Sequence, residues 1–226
     1  MADWLFPPPE PKGLPVLGRT ALYPVARIFC VGRNYEAHAA EMGHQVDREA
    51  PFYFTKSAAH LVPSGATVPY PSGTTDYHHE VELVVALGAP LDHASPETAA
   101  RAVYACATGL DMTRRDLQIR ERTKQRPWDL GKDVEDSAVV GPLRRGFEPG
   151  AQRIHLAVNG TMRQDASLAE LVWSVPDILA HLSSYYRLGP GDLVMTGTPA
   201  GVGPVVAGDR IEGGIDGLAP VTLTLR

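Results

Sequence analysis

The stretch Tyr77-His78-His79-Glu80-Val81-Glu82-Leu83-Val84-Val85-Ala86-Leu87 constrains the fold of this chain more than any other. Its β-branched and aliphatic residues read as a strand. Side chains alternate along a strand, so Glu80 and Glu82 share a face about 7 Å apart, while Val81, Leu83, Val85 and Leu87 line the other. The acids' face continues as Val84 and Ala86, which sets both carboxylates at the mouth of a half-buried surface. Two unpaired anions there would repel each other and lose hydration. A divalent cation removes both penalties, and hard oxygen ligands point to Mg2+, Ca2+ or Mn2+ before zinc. A solvated edge strand or pairing with arginines would satisfy the same two acids, so the rest of the chain has to decide.

The chain has 226 residues, 44% of them hydrophobic, enough for one real core. A single domain is expected over 25–226, preceded by a Pro-rich arm over 1–24 that lies extended on the surface. The net charge of −5, with no basic run, gives no reason to expect nucleic acid. No apolar run reaches the length of a membrane span and the N-terminus lacks a signal-peptide core, so a soluble, cytoplasmic protein is expected. Cys30 and Cys106 fall in apolar strand-like runs and read as buried free thiols. The 22 glycines and 20 prolines punctuate the whole length, which favours a β-rich α+β fold with a few short helices.

Residues 25–31 read as a first strand, and 32–43 turn to helical composition ending at Gly43. There His38 and Glu41 are neighbours on one helical turn: either a base oriented by a carboxylate, or an ordinary surface pair. Residues 51–55 read as a short strand closed by Lys56. Ser95-Pro96-Glu97 opens a helix with an N-cap, a first-turn proline and an acid. The apolar run Val103 to Met112 carries Asp111 near its end, a candidate third ligand. Arg114, Arg115, Asp116 and Gln118 form either a carboxylate-binding cluster or a charged turn. Lys132, after Gly131, is either a positioned cation or a solvated one. Asn159-Gly160 signals a hairpin. Ser174 caps a helix whose Ile178, Leu179, Leu182, Tyr185 and Tyr186 keep the helical period up to Gly189-Pro190. The loop Gly197 to Gly203 lacks the Gly-Lys-Ser/Thr ending of a phosphate loop; it is a tight turn or a backbone-amide cradle for a small anion. Adjacent His78 and His79 face opposite ways on a strand, which argues against a zinc site.

Seven blocks in one order resemble the fumarylacetoacetate hydrolase family, and within it the short bacterial fumarylpyruvate hydrolases and acylpyruvases. They are Val31-Gly32-Arg33-Asn34-Tyr35; His38 with Glu41; Phe52-Tyr53-Phe54-Thr55-Lys56; Glu80-Val81-Glu82; Gly109 through Gln118; Gly131-Lys132; and Gly191-Asp192-Leu193 with Thr196 through Gly203. The resemblance runs from about Ile28 to the C-terminus. Two departures stand out. Ser57 replaces the proline often found after Lys56, and Asp133-Val134-Glu135-Asp136 makes the stretch after Lys132 unusually acidic.

The resemblance implies a mixed β-sandwich roll and a homodimer. It implies Glu80, Glu82 and Asp111 as ligands of Mg2+ or Mn2+, with Ca2+ as a substitute, and His38 with Glu41 as the pair that activates water. It implies Lys132 as the active-site lysine, Arg115, Gln118 and Thr198 as substrate contacts, and Lys56 as a further contact. The implied reaction is hydrolysis of the carbon–carbon bond of a 2,4-diketo acid such as fumarylpyruvate. Oxaloacetate decarboxylation, or isomerisation and decarboxylation in aromatic degradation, would use the same metal without attacking water. A non-catalytic organic-acid binding module would not need His38, Glu41 and Lys132.

Overall fold

A computed structural model describes residues 4–226; the first three residues of the 1–24 arm lie outside the described residues. Seven strands form the central mixed sheet, in the order Phe52–Lys56, Arg27–Gly32, Asp192–Met195, Val81–Leu87, Val103–Asp111, Ala138–Val140 and Leu61–Pro63. A second sheet has five: Thr161–Ser167, Arg153–Val158, Arg210–Ile215, Val221–Leu225 and Ala66–Val68. One small ladder joins Tyr77–His79 to Thr113–Arg114 and Gly203–Val205 at the site end. Five short α-helices complete the described residues, which makes the fold the β-rich roll expected from the sequence. None of them is long and apolar enough to cross a membrane.

The alternation read along residues 81–87 sorts side chains as expected. Val81, Leu83, Val85 and Leu87 pack with Ile154, Leu156, Ile211 and Leu223 of the five-stranded sheet. Val84 and Ala86 join a second cluster with Ile28, Cys30, Met195, Leu14, Val16 and Tyr23. Lys12–Leu14 pairs antiparallel with Tyr23–Val25, and this ladder supplies part of that second cluster. The strand is therefore buried on both faces, and the half-buried surface expected around Glu80 and Glu82 is instead an interior. Both cysteines are free and buried.

Local signals account for most boundaries. Ser95 and Ser174 accept from the backbone N–H of Thr98 and Asp177, each with a proline in the first turn behind it. Asn159 and Gly160 take φ of 50° and 77°, as a tight hairpin demands. Two helices are shorter than expected. The one over 32–43 is confined to Glu36–Glu41, because the Asn34 side chain donates to the Trp173 and Thr196 carbonyls and accepts from Trp173 N–H. The other ends at Ser183, where the Ser183 and Ser184 hydroxyls donate to the carbonyls of Ala180 and His181. Tyr185 and Tyr186 thus leave the helical face and are 69% and 46% exposed.

Candidate active site

Glu80 occupies the break between Tyr77–His79 and Val81–Leu87, and Glu82 follows two residues on. Asp111 ends the neighbouring strand, whose register sets Leu110 opposite Val81, and its N–H donates to the Glu80 carbonyl at 2.9 Å. Sheet pairing thus gathers one oxygen from each acid within 4.8 Å of the others, all buried. The cluster fits a hard divalent cation: three buried carboxylates converge, and among the described residues Glu82 has no cationic side chain within ion-pair distance and accepts only from Gly197 N–H. Burial, then the charges of Asp111 and Glu80, push the Glu82 carboxyl well above the usual range. Burial acts the same way on Glu80, but there the Lys132 and Arg115 cations prevail and hold it low.

The short helix Asp129–Lys132 delivers Lys132 to the cluster. Its ammonium donates to Glu80 Oε2 at 2.8 Å, Asp111 Oδ2 at 2.6 Å and Thr113 Oγ1 at 2.8 Å. Burial would lower its pKa, but Asp111 and Glu80 raise it, so it stays charged. Arg115 donates to Glu80 and to Gln118. Lys56 comes from behind: it donates to Met112 O at 3.0 Å, Ser137 Oγ at 2.7 Å and Lys132 O, and lies 2.9 Å from Asp111 Oδ1. His38, Arg115, Gln118, Lys132 and Thr198 line one cavity with Glu80 and Glu82; Lys56 does not reach it.

His38 Nδ1 lies 3.4 Å from Glu41 Oε2, and burial lowers the imidazole pKa despite the nearby Glu80 charge. The glycine-rich loop supplies the rest. Its Gly197 N–H donates to Glu82 Oε2 at 2.8 Å, and Gly201 N–H reaches the Glu41 carboxylate at 3.1 and 3.2 Å. Its amides serve the protein's own acids. The two departures noted in the sequence meet here as well. Ser57 N–H donates to Asp133 Oδ1 at 2.6 Å, a bond that a proline at 57 could not make.

Three residues with no role assigned from sequence surround the site. Gln164, buried on the second sheet, donates to Thr198 Oγ1. No local pattern marks a lone glutamine in a hairpin strand. Arg33 and Arg122 line the cavity. The signal for Arg122 was its spacing, since 115, 118 and 122 fall on one helical face.

The family profile described as fumarylacetoacetate (FAA) hydrolase C-terminal matches residues 27–226. A fumarylpyruvate hydrolase of Ralstonia sp. is 50% identical over 188 residues, covering 81% of this chain and 98% of the relative. The mitochondrial oxaloacetate tautomerase of Mus musculus is 40% identical over 203 residues, covering 88% and 91%. The crystal structure of fumarylpyruvate hydrolase from Pseudomonas aeruginosa with Mn2+ and pyruvate superposes with a TM-score of 0.95 at 45% identity, covering 99% of each chain. This chain therefore belongs to the fumarylacetoacetate hydrolase family.

Proposed function

We propose that this chain is a metal-dependent hydrolase that splits fumarylpyruvate, or a close acylpyruvate, into pyruvate and the acyl acid. The observation that carries the reading is that His38, with Glu41 at 3.4 Å, opens onto the same cavity as Glu80 and Glu82. A base beside a site for a hard cation is what a water attack on a diketo acid needs. The Ralstonia relative's name and the pyruvate held by the Pseudomonas enzyme support the same substrate class.

Bound to Glu80, Glu82 and Asp111, Mg2+ or Mn2+ would polarise the keto oxygens of the acid and hold the charge that develops on them. Ca2+ would substitute in binding. Arg115, Gln118 and Thr198 orient the pyruvyl end, and Lys132 adds a fixed positive charge beside it. Neutral His38 takes a proton from water as the oxygen adds to the acyl carbonyl carbon. The bond from that carbon to the methylene then breaks. Its electron pair goes to the pyruvyl fragment, which takes up a proton from the His38 imidazolium to give pyruvate. Lys56 holds Asp111 and the Lys132 carbonyl from behind and acts as a positioning residue. A homodimer completes the reading, on the strength of the family resemblance; sedimentation of the purified protein tests it.

The mouse relative's name supports a second reading, keto–enol exchange of oxaloacetate, which moves protons without attacking water. One assay separates the two. Metal-stripped protein is given fumarylpyruvate with and without Mn2+, and the absorbance of the enolised diketone is followed with pyruvate and fumarate. Metal-dependent release of both acids in equal amounts is expected. Persistence of the diketo acid beside rapid oxaloacetate exchange would sink the hydrolase reading.

A further inference from the structure

The cavity carries two cations that the mechanism above does not use. Arg33 and Arg122 line it together with His38, Glu80 and Lys132. Among the described residues, no carboxylate oxygen lies within 4.0 Å of either guanidinium. Arg122 Nη1 meets His44 Nε2 at 2.6 Å; a guanidinium only donates, so that imidazole accepts and is neutral. Arg33 sits with its guanidinium carbon 5.8 Å from the Phe52 ring centre and 5.9 Å from that of Trp128. Burial lowers its pKa, and the Arg122 charge lowers it further. Two like charges thus converge on a half-buried wall of aromatic faces and a neutral imidazole.

The arrangement is held against its own preferences. Arg33 has φ of 57°, a left-handed backbone that a residue with a Cβ disfavours. The neighbouring Asn34 fixes that turn through Trp173 and Thr196. Arg122 shares the helix Arg115–Thr123 with Arg115 and Gln118. Arg115 and Arg122 lie seven positions apart on one face of it, roughly 10 Å along the axis. The extended seven-carbon chain of fumarylpyruvate spans roughly 7 Å between its end carbons, before the reach of either carboxylate.

We propose that Arg33 and Arg122 bind the carboxylate at the far end of the acyl group, so that the enzyme selects dicarboxylic acylpyruvates over those with an uncharged acyl end. The inference rests on the hydrolase reading and deepens it. Arg115 and its neighbours take the pyruvyl carboxylate, and the arginine pair reads the other end of the same molecule. A guanidinium pair supplies several donors in a fixed fork, and a desolvated wall strengthens each charge-assisted bond.

The test compares kcat/KM for fumarylpyruvate with kcat/KM for acetylpyruvate, in wild type and in Arg33→Gln and Arg122→Gln. Each substitution is expected to lower that ratio by about tenfold or more, as the loss of a charge-assisted hydrogen bond does. A ratio that stays put in both variants overturns the proposal. A measurement on the wild type guards against variants that do not fold. Fumarate should inhibit at least about tenfold more tightly than crotonate, which keeps the reacting carboxylate and replaces only the distal one with a methyl group. Equal inhibition by the two overturns the proposal while leaving hydrolysis standing. If the wild type turns over neither acylpyruvate, the hydrolase reading falls, and the arginine pair is judged on fumarate against crotonate binding alone.

Discussion

Gln164 donates from its side-chain nitrogen to the hydroxyl of Thr198 at 2.8 Å, and the backbone fixes which way that amide points. Its oxygen accepts from Val81 N–H at 3.0 Å and its nitrogen donates to Pro199 O at 2.8 Å, so the two ends cannot be exchanged. The Thr198 oxygen must therefore accept, which leaves its own proton free for the cavity. In Gln164→Glu the ionised carboxylate cannot donate from that position, and Thr198 turns its proton toward it. KM for the diketo acid is expected to rise roughly tenfold with a smaller change in kcat. Steady-state kinetics in a cycle with Thr198→Val checks this: the two effects should not add, and full additivity would separate the residues.

Glu82 should destabilise the metal-free protein and stabilise the metal-bound one. It is buried beside Asp111 and Glu80, and among the described residues no cation pairs with it and Gly197 N–H is its only hydrogen-bond donor. Glu82→Gln is expected to raise Tm by about 3 °C without metal, the equivalent of about 1 kcal/mol in a chain of this size, and to remove the rise that Mn2+ gives the wild type. Scanning calorimetry with and without Mn2+ reads both numbers.

Activity should persist below the ordinary histidine range and then fall with acid. His38 works as a base only when neutral, and burial lowers its pKa from the usual 6.5. A cation bound near Glu80 would lower it further, by offsetting the charge that now opposes burial. The acid limb of kcat/KM should thus lie below 6.5, with activity lost as pH falls through the lowered value. His38→Ala should keep Mn2+ affinity, measured by calorimetry, and lose on the order of a hundredfold or more in turnover. Unchanged turnover would remove His38 from the mechanism.

Gly201 couples the His38 helix to the loop behind it. It has φ of 93°, and a Cβ there would lie 2.1 Å from the Arg163 carbonyl oxygen. Gly201→Ala must move the loop whose N–H holds Glu41. We expect a stability loss of about 2 kcal/mol and a fall in kcat of roughly tenfold, from denaturant melts and initial rates on the same preparation.

The sequence carried the acids well because their logic is local. Period-two alternation puts Glu80 and Glu82 on one face, and antiparallel pairing with the strand ending at Asp111 completes the cluster. It understated their burial, because the second face of that strand is covered partly by Leu14, Val16 and Tyr23 from beyond its own neighbourhood. Tyr185 and Tyr186 kept the helical period yet leave the helix, since serine hydroxyls close its last carbonyls first. Long-range partners were invisible. Nothing near Gln164 announces that it meets Thr198, and nothing near Ser57 announces Asp133.

In the proposed hydrolysis, water activated by His38 adds to the acyl carbonyl. Turnover of fumarylpyruvate by the Mn2+-loaded enzyme in heavy-oxygen water follows that oxygen, with the fumarate analysed by mass spectrometry. Fumarate carrying a single solvent oxygen in its newly formed carboxylate is expected, at the rate at which pyruvate appears. Consumption of the substrate with release of carbon dioxide, or its enolisation without any labelled fumarate, would contradict it.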